Sequence, residues 1–276
     1  MSTIIKIAGV QMESRLADTA GNLARCVEML GVAAAGGAHL VVFPEAALSG
    51  YMFGSLEEAV PSAETIPGPS TERMAERCRD LGVYAVFGLL EKDGEACYNA
   101  AAFVGPNGLV GGYRKLHLPY VGVDRFVERG DRPPRVYDTE LGRIGLGICY
   151  DLDFPEEARV LTLLGAEVIV NISNWPEGVE FAPEHLAHAR ARENMVYVVA
   201  VNRVGEERGV KFIGRSKLVD HRGLTLAEGR PYEEDLVYAT AEPALAREKH
   251  QVIIPGELEI DMLRDRRPEF YGRLTQ

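Results

Sequence analysis

The order of apolar runs in this chain repeats once, and that doubling restricts the fold more than any other property of the sequence. Short runs rich in Val and Ile, the pattern of buried strands, lie at Ile4–Val10, Leu40–Phe43, Val83–Leu90, Ile144–Cys149, Val168–Ile172 and Val196–Val201. Segments of helical period fall between them. Leu16–Ala35 puts Leu23, Val27, Leu30 and Ala34 on one face, and Thr71–Leu81, Glu156–Leu164 and 184–194 follow the same logic. Each half closes with a hairpin: 97–114 turning at Pro106-Asn107-Gly108, and 213–227 turning at His221-Arg222-Gly223. Strands alternating with helices define an α/β fold, in which each half forms a sheet with helices on one face. The two bare faces then pack together, giving a four-layer α-β-β-α sandwich made of two pseudo-repeated halves and a single domain over 1–276.

Length alone leaves one large domain competing with two small ones, because 276 residues lie at the upper edge of what one core supports. No Ser/Gly/Pro-rich linker separates the halves, and Arg132-Pro133-Pro134 is too short to be one. With 30 Lys+Arg against 41 Asp+Glu the net charge is −11, so neither nucleic acid nor an anionic membrane surface is an expected partner. No apolar stretch approaches the ~20 residues that span a bilayer. Ile4–Val10 is interrupted by Lys6 and lacks a small-residue cleavage site after it, so it reads as a strand rather than a signal peptide. Cys26, Cys78, Cys97 and Cys149 are far apart, with no C-x-x-C spacing, which suggests a reduced, cytoplasmic protein. From about Pro243 the core pattern fades into sequence such as Arg264-Asp265-Arg266-Arg267, expected to be a tail that reaches a partner subunit.

In α/β architectures chemistry gathers just beyond the carboxyl ends of strands. Three reactive side chains fall there: Glu45 after Val41-Val42-Phe43-Pro44, Lys115 after the first hairpin, and Cys149 after Gly145-Leu146-Gly147-Ile148. Singly each has a bland reading, as a solvated carboxylate, a surface cation and a packed thiol. Together they form a chemical set. A free thiol has a pKa near ~8.5, so a nucleophilic cysteine needs a base for its proton or a cation beside its charge. Glu45 and Lys115 are suited to those two roles. His185 and His188 beside Glu184 lack further ligands and read as a polar helix face, so no metal and no cofactor is expected. His117 is expected to hold local structure.

Phe43-Pro44-Glu45, Arg114-Lys115-Leu116-His117-Leu118-Pro119 and the run from Gly147-Ile148-Cys149-Tyr150-Asp151 to Phe154-Pro155-Glu156 resemble the three motif blocks of the nitrilase superfamily of carbon-nitrogen hydrolases. Ser173-Asn174-Trp175-Pro176 and Ala189–Asn194 extend the likeness, which covers most of the chain in order. The resemblance implies the same four-layer sandwich, a Glu-Lys-Cys triad at Glu45, Lys115 and Cys149, and a homodimer or higher even homo-oligomer. It also implies a second Glu after the lysine. Here Asp124 is the nearest carboxylate in that stretch and is shorter by one methylene, with Glu128 the further one.

The expected reaction is hydrolysis of a non-peptide C–N bond in a small aliphatic or N-carbamoyl amide, through a thioester and with release of ammonia. A nitrilase acting on C≡N, a thiol redox protein and an inactive binding scaffold are the alternatives. Tyr51, Asp124, Tyr150, Asp153, Asn174 and Trp175 are the residues expected to contact substrate. Relatives that act on dicarboxylate amides often carry a cation where this chain has Asp153. A carboxylate there favours a neutral or amine-bearing substrate, or else it caps the following helix.

Overall fold

The computed structural model describes residues 3–276. In the first half, Ile5–Gln11, Leu40–Val42 and Tyr84–Asp93 run parallel, followed by antiparallel Ala96–Gly105 and Gly108–Arg114. In the second, Gly142–Ile148, Val168–Ser173 and Tyr197–Asn202 run parallel, followed by antiparallel Lys217–Val219 and Thr225–Glu228. The doubling is therefore present strand for strand. Each sheet also carries an antiparallel strand outside the repeat, beside its first parallel one: Asp235–Ala241 on Ile5–Gln11, and Val136–Thr139 on Gly142–Ile148.

Pleat alternation decides which layer each residue joins. Ile5 and Ile7 face a core shared with Leu146, Val170, Val199 and Val201 of the other sheet, whereas Ala8 and Val10 face Cys26, Leu30, Met74 and Cys78 of the helices Thr19–Ala35 and Pro69–Leu81. Helices Pro155–Leu163 and Ala187–Asn194 contribute Ala158, Leu161, Ala187 and Ala191 to the core of the second sheet. Helix, sheet, sheet, helix is the resulting order of layers. Gly9 shows how closely the sheets meet, since a Cβ there would lie 3.0 Å from Val201 Cγ2.

Several boundaries differ from the sequence reading, each for a local reason. The first helix begins at Thr19 rather than Leu16, because Ala17 takes φ 60° and Asp18 caps by accepting from the Gly21 amide. Its most buried stripe is Asn22, Cys26, Leu30 and Ala33, which shares Leu30 with the apolar stripe and otherwise lies one position before it. Asn22 is drawn in because its amide bonds Arg15 O and Leu48 O. The strand Gly142–Ile148 stops before Cys149, whose φ of 49° is incompatible with extended backbone. Beyond Pro243 the chain forms a 3-10 turn, Pro243–Arg247, and a hairpin of His250–Ile254 with Leu258–Asp261. Among the described residues no helix is long and apolar enough to cross a membrane.

Candidate active site

Three strand ends converge on one buried cluster. Glu45 follows Leu40–Val42, Lys115 follows Gly108–Arg114, and Cys149 opens a 3-10 turn, Cys149–Asp153, after Gly142–Ile148. Glu45 and Lys115 have no exposed surface, and Cys149 is only 8% exposed. Lys115 Nζ lies 2.6 Å from Glu45 Oε1 and 2.5 Å from Asp124 Oδ2. Asp124 thus reaches the lysine despite its short side chain, carried there by the turn Gly122–Arg125, while Glu128 is exposed and outside the cluster. The Tyr51 hydroxyl donates to Asp124 Oδ2 at 2.8 Å, so both carboxylate oxygens of Asp124 already accept from protein donors. The backbone of Tyr51 is itself held from the other half, its N–H and that of Met52 donating to Glu207 Oε2 at 2.9 and 2.8 Å.

Burial and charge set the protonation states. Burial alone would discharge Lys115, but the Asp124 and Glu45 carboxylates overcome it and hold the ammonium well above its ordinary value. Burial raises Glu45 and Asp124 raises it further, against the downward pull of Lys115. Burial also pushes the Cys149 thiol well above its ordinary value, with the Glu45 charge adding to the rise and Lys115 opposing it. The resting cysteine is therefore a thiol next to a carboxylate and an ammonium. Glu45 Oε2 is buried with no hydrogen-bond partner among the described residues. The remaining thiols, Cys26, Cys78 and Cys97, are free and buried, pushed by burial to about 12, 12 and 11.

Asp151 organises the turn that presents Cys149. Its Oδ2 accepts from the Ile148 amide at 3.0 Å and the Tyr113 hydroxyl at 2.8 Å, and its Oδ1 from the His117 amide at 3.0 Å. His117 Nδ1 is 2.7 Å from the same Oδ1, which requires the proton on Nδ1, and its ring stacks on Phe154 at 3.7 Å. Tyr150 is partly exposed against the edge of Phe154. Asp153 does not cap the following helix: the N-cap position is Phe154, without a side-chain bond. The Asp153 carboxyl is half-buried and raised by that burial, with Arg190 opposing, and no group among the described residues hydrogen-bonds it. Asn174 is buried with both side-chain polar atoms unpartnered, and its backbone draws the Cys149 thiol slightly down against the rise from burial. Trp175 is buried, its backbone bonded on both sides by the Asn202 amide. His185 and His188 stay apart from this cluster's contacts, His188 bonding Thr225 at 2.8 Å.

The backbone under Glu45 is fixed by a close approach. A Cβ on Gly88 would sit 2.3 Å from the Ala46 nitrogen and 2.7 Å from the Glu45 Cα. Gly88→Ala must therefore displace Glu45, and we expect kcat to fall by at least about tenfold with a stability loss on the order of 1–3 kcal/mol. Steady-state rates and thermal unfolding check this; full activity would show that the loop tolerates the shift.

A doubled α/β fold brings a buried carboxylate, an ammonium and a thiol together at its strand ends. The chain belongs to the Carbon-nitrogen hydrolase family, whose sequence model matches residues 6–251. It is a hydrolase acting on carbon–nitrogen bonds, and a Glu-Lys-Cys triad is a property of that family. A nitrilase of Pyrococcus abyssi is 40% identical over 271 residues, covering 98% of this chain and 100% of that protein. An (R)-stereoselective amidase of Pseudomonas sp. is 34% identical over 277 residues, covering 99% and 95%. Among solved structures, an amidase from Nesterenkonia sp. AN1 superimposes with a TM-score of 0.79 at 25% identity, covering 98% of this chain and 96% of that one. That structure shows the acetamide moiety of fluoroacetamide added covalently at its active-site cysteine.

Proposed function

We propose that the protein hydrolyses a small aliphatic or N-carbamoyl amide with Cys149 as nucleophile, Glu45 as proton acceptor and donor, and Lys115 as oxyanion stabiliser. The observation that carries this reading is the free Glu45 Oε2 beside a neutral thiol, with the other oxygen of Glu45 tied to Lys115. Oε2 takes the thiol proton as sulfur attacks the carbonyl carbon. Two N–H groups of Lys115 are used by Glu45 and Asp124, which leaves a third for the tetrahedral oxyanion, joined by the Tyr150 backbone N–H. Protonated Glu45 then gives its proton to the departing amine, releasing ammonia from a primary amide, next accepts one from the water that attacks the thioester, and returns it to the Cys149 sulfur as the C–S bond breaks and the acid leaves. Tyr51 and Asp124 act on this reading as supports of Lys115, and Tyr150, Asp153, Asn174 and Trp175 as candidates for substrate contact.

Asn174 favours an amide over a nitrile. Its orphaned side chain offers an NH₂ to donate and a carbonyl to accept, matching the carbonyl and NH₂ of a primary amide or ureido group, whereas a nitrile only accepts. The similarity to a nitrilase keeps C≡N hydrolysis as the second reading. Paired amide and nitrile forms of one substrate separate them, and turnover of the nitrile alone overturns the amidase reading. Varying substrate charge at fixed length tests Asp153 in the same assay: neutral or amine-bearing amides are expected to be preferred, and a preference for carboxylate-bearing amides overturns that assignment.

The working unit we infer is residues 1–276 as one domain in a homodimer or larger even assembly, in a reducing cytoplasm that suits four unpaired thiols. The tail supports the assembly, because Val252, Ile253, Ile254 and Leu258 of its hairpin are exposed. Sedimentation as a monomer at micromolar concentration overturns it.

A further inference from the structure

Asn99 lies in none of the sequence motifs, yet its side chain joins the two carboxylates of the site. The amide nitrogen donates to Glu45 Oε1 at 2.7 Å and to Asp124 Oδ1 at 2.8 Å. With Lys115 bonded to the same two residues, four buried side chains close a ring in which carboxylates alternate with donors. Building on the assignment of Glu45 as the base, we propose that Asn99 is a positioning residue that selects Oε2 as the basic atom of Glu45 and keeps that carboxyl ionised at working pH.

The geometry of the ring separates the tasks of its two donors. An ammonium rotates freely and accepts either carboxylate oxygen as partner, so Lys115 alone does not dictate how the Glu45 carboxylate is turned. A planar amide carries two N–H bonds in fixed directions, one for each carboxylate, and so fixes their separation and tilt. Both donors land on Glu45 Oε1, which leaves Oε2 as the oxygen open to a proton. Two carboxylates around one ammonium carry a net negative charge in a site removed from water. A neutral double donor stabilises both ionised forms without adding charge, opposing burial and Asp124, which push Glu45 up. The charged and titratable groups facing Glu45 are Lys115, Asp124, Tyr51 and Cys149, and Asn99 is the neutral donor among them. Its own backbone is occupied separately, Asn99 O accepting from the Lys115 amide at 2.9 Å, so a side-chain change leaves the strand bonds intact.

The test uses the full chain with Asn99→Asp and Asn99→Ala. In both, the acidic limb of kcat/KM against pH is expected to move up by about one pH unit or more, further in Asn99→Asp, which adds a third carboxylate. kcat at the optimum is expected to fall about 10- to 100-fold, with KM within about threefold of the wild type. Rates that fall uniformly with the acidic limb unmoved overturn the proposal. If Asn99→Asp fails to fold, Asn99→Ala carries the same comparison. A readout independent of turnover is the protonation midpoint of the Glu45 carboxyl, followed by its infrared carbonyl band and assigned by its loss in Glu45→Gln. A raised midpoint in the Asn99 variants supports the proposal even if the wild type hydrolyses none of the amides or nitriles, a result that would overturn only the proposed function. An unshifted midpoint overturns the role of Asn99 even in an active hydrolase.

Discussion

Cys149→Ala is expected to lower turnover by on the order of 10⁴-fold or more while leaving the unfolding temperature near that of the wild type. The rate effect follows from position, because Cys26, Cys78 and Cys97 lie packed away from the Glu45–Lys115 pair, their thiols pushed up by burial. The mild structural effect follows from backbone and charge. Alanine tolerates the left-handed φ at this position as cysteine does, and Ala46 already adopts φ 49° elsewhere in the same site. Removing a neutral thiol also leaves the bonds between Lys115, Glu45 and Asp124 in place. Ammonia release and calorimetry on the same preparation give the answer, and near-normal turnover sinks the nucleophile assignment.

Lys115→Ala is expected to fail in both respects. Losing an oxyanion donor in a dry site costs about 2.7–4 kcal/mol of transition-state stabilisation, or roughly 10²–10³ in rate. It also strands Glu45 and Asp124 as buried carboxylates without their cation, a change worth about 3–5 kcal/mol of folding stability. The stability loss has a sign in pH. Without Lys115 the folded state holds the Glu45 carboxyl above its unfolded value, so it binds more protons than the unfolded state, and stability falls as pH rises. The variant should therefore be closest to wild-type stability at low pH and furthest from it at neutral pH. Denaturant titrations at two pH values measure this, and a deficit that does not change with pH argues against the buried pair.

The two chemical levels of the molecule differ in how far the sequence discloses them. Alternating strands and helices, both hairpins and the three strand-end residues are local signals, carried by runs such as Val168–Ile172 or by a turn such as Asn107-Gly108, and the structure has them where those runs lie. Contacts between distant segments leave no such trace. Asp235–Ala241 buries Val237, Ala239 and Ala241 with a strand's period of two, but its partner is Ile5–Gln11, more than 200 residues away. Asn99 is one polar residue in an otherwise apolar strand, and only the buried placement of Glu45 and Asp124 explains it. Asp151 stands two residues after Cys149, yet three of its four bonds reach Tyr113 and His117, which no spacing rule links to it. The half-buried Asp153 illustrates the reverse case, a residue whose capping pattern was legible while the helix began one residue later, at a cap with no side-chain bond.

The strand that returns from residue 235 also has a bearing on synthesis. Until Asp235–Ala241 emerges, the N-terminal strand Ile5–Gln11 has a neighbour on one side and an unpaired row of amides and carbonyls on the other. Glu45, Lys115 and Cys149 are all made before that edge is covered, so a nascent chain contains every triad residue well before its first sheet is complete. A ribosome-released fragment ending short of residue 235 would present a long, open, apolar edge to other copies, and aggregation rather than partial activity is its natural fate.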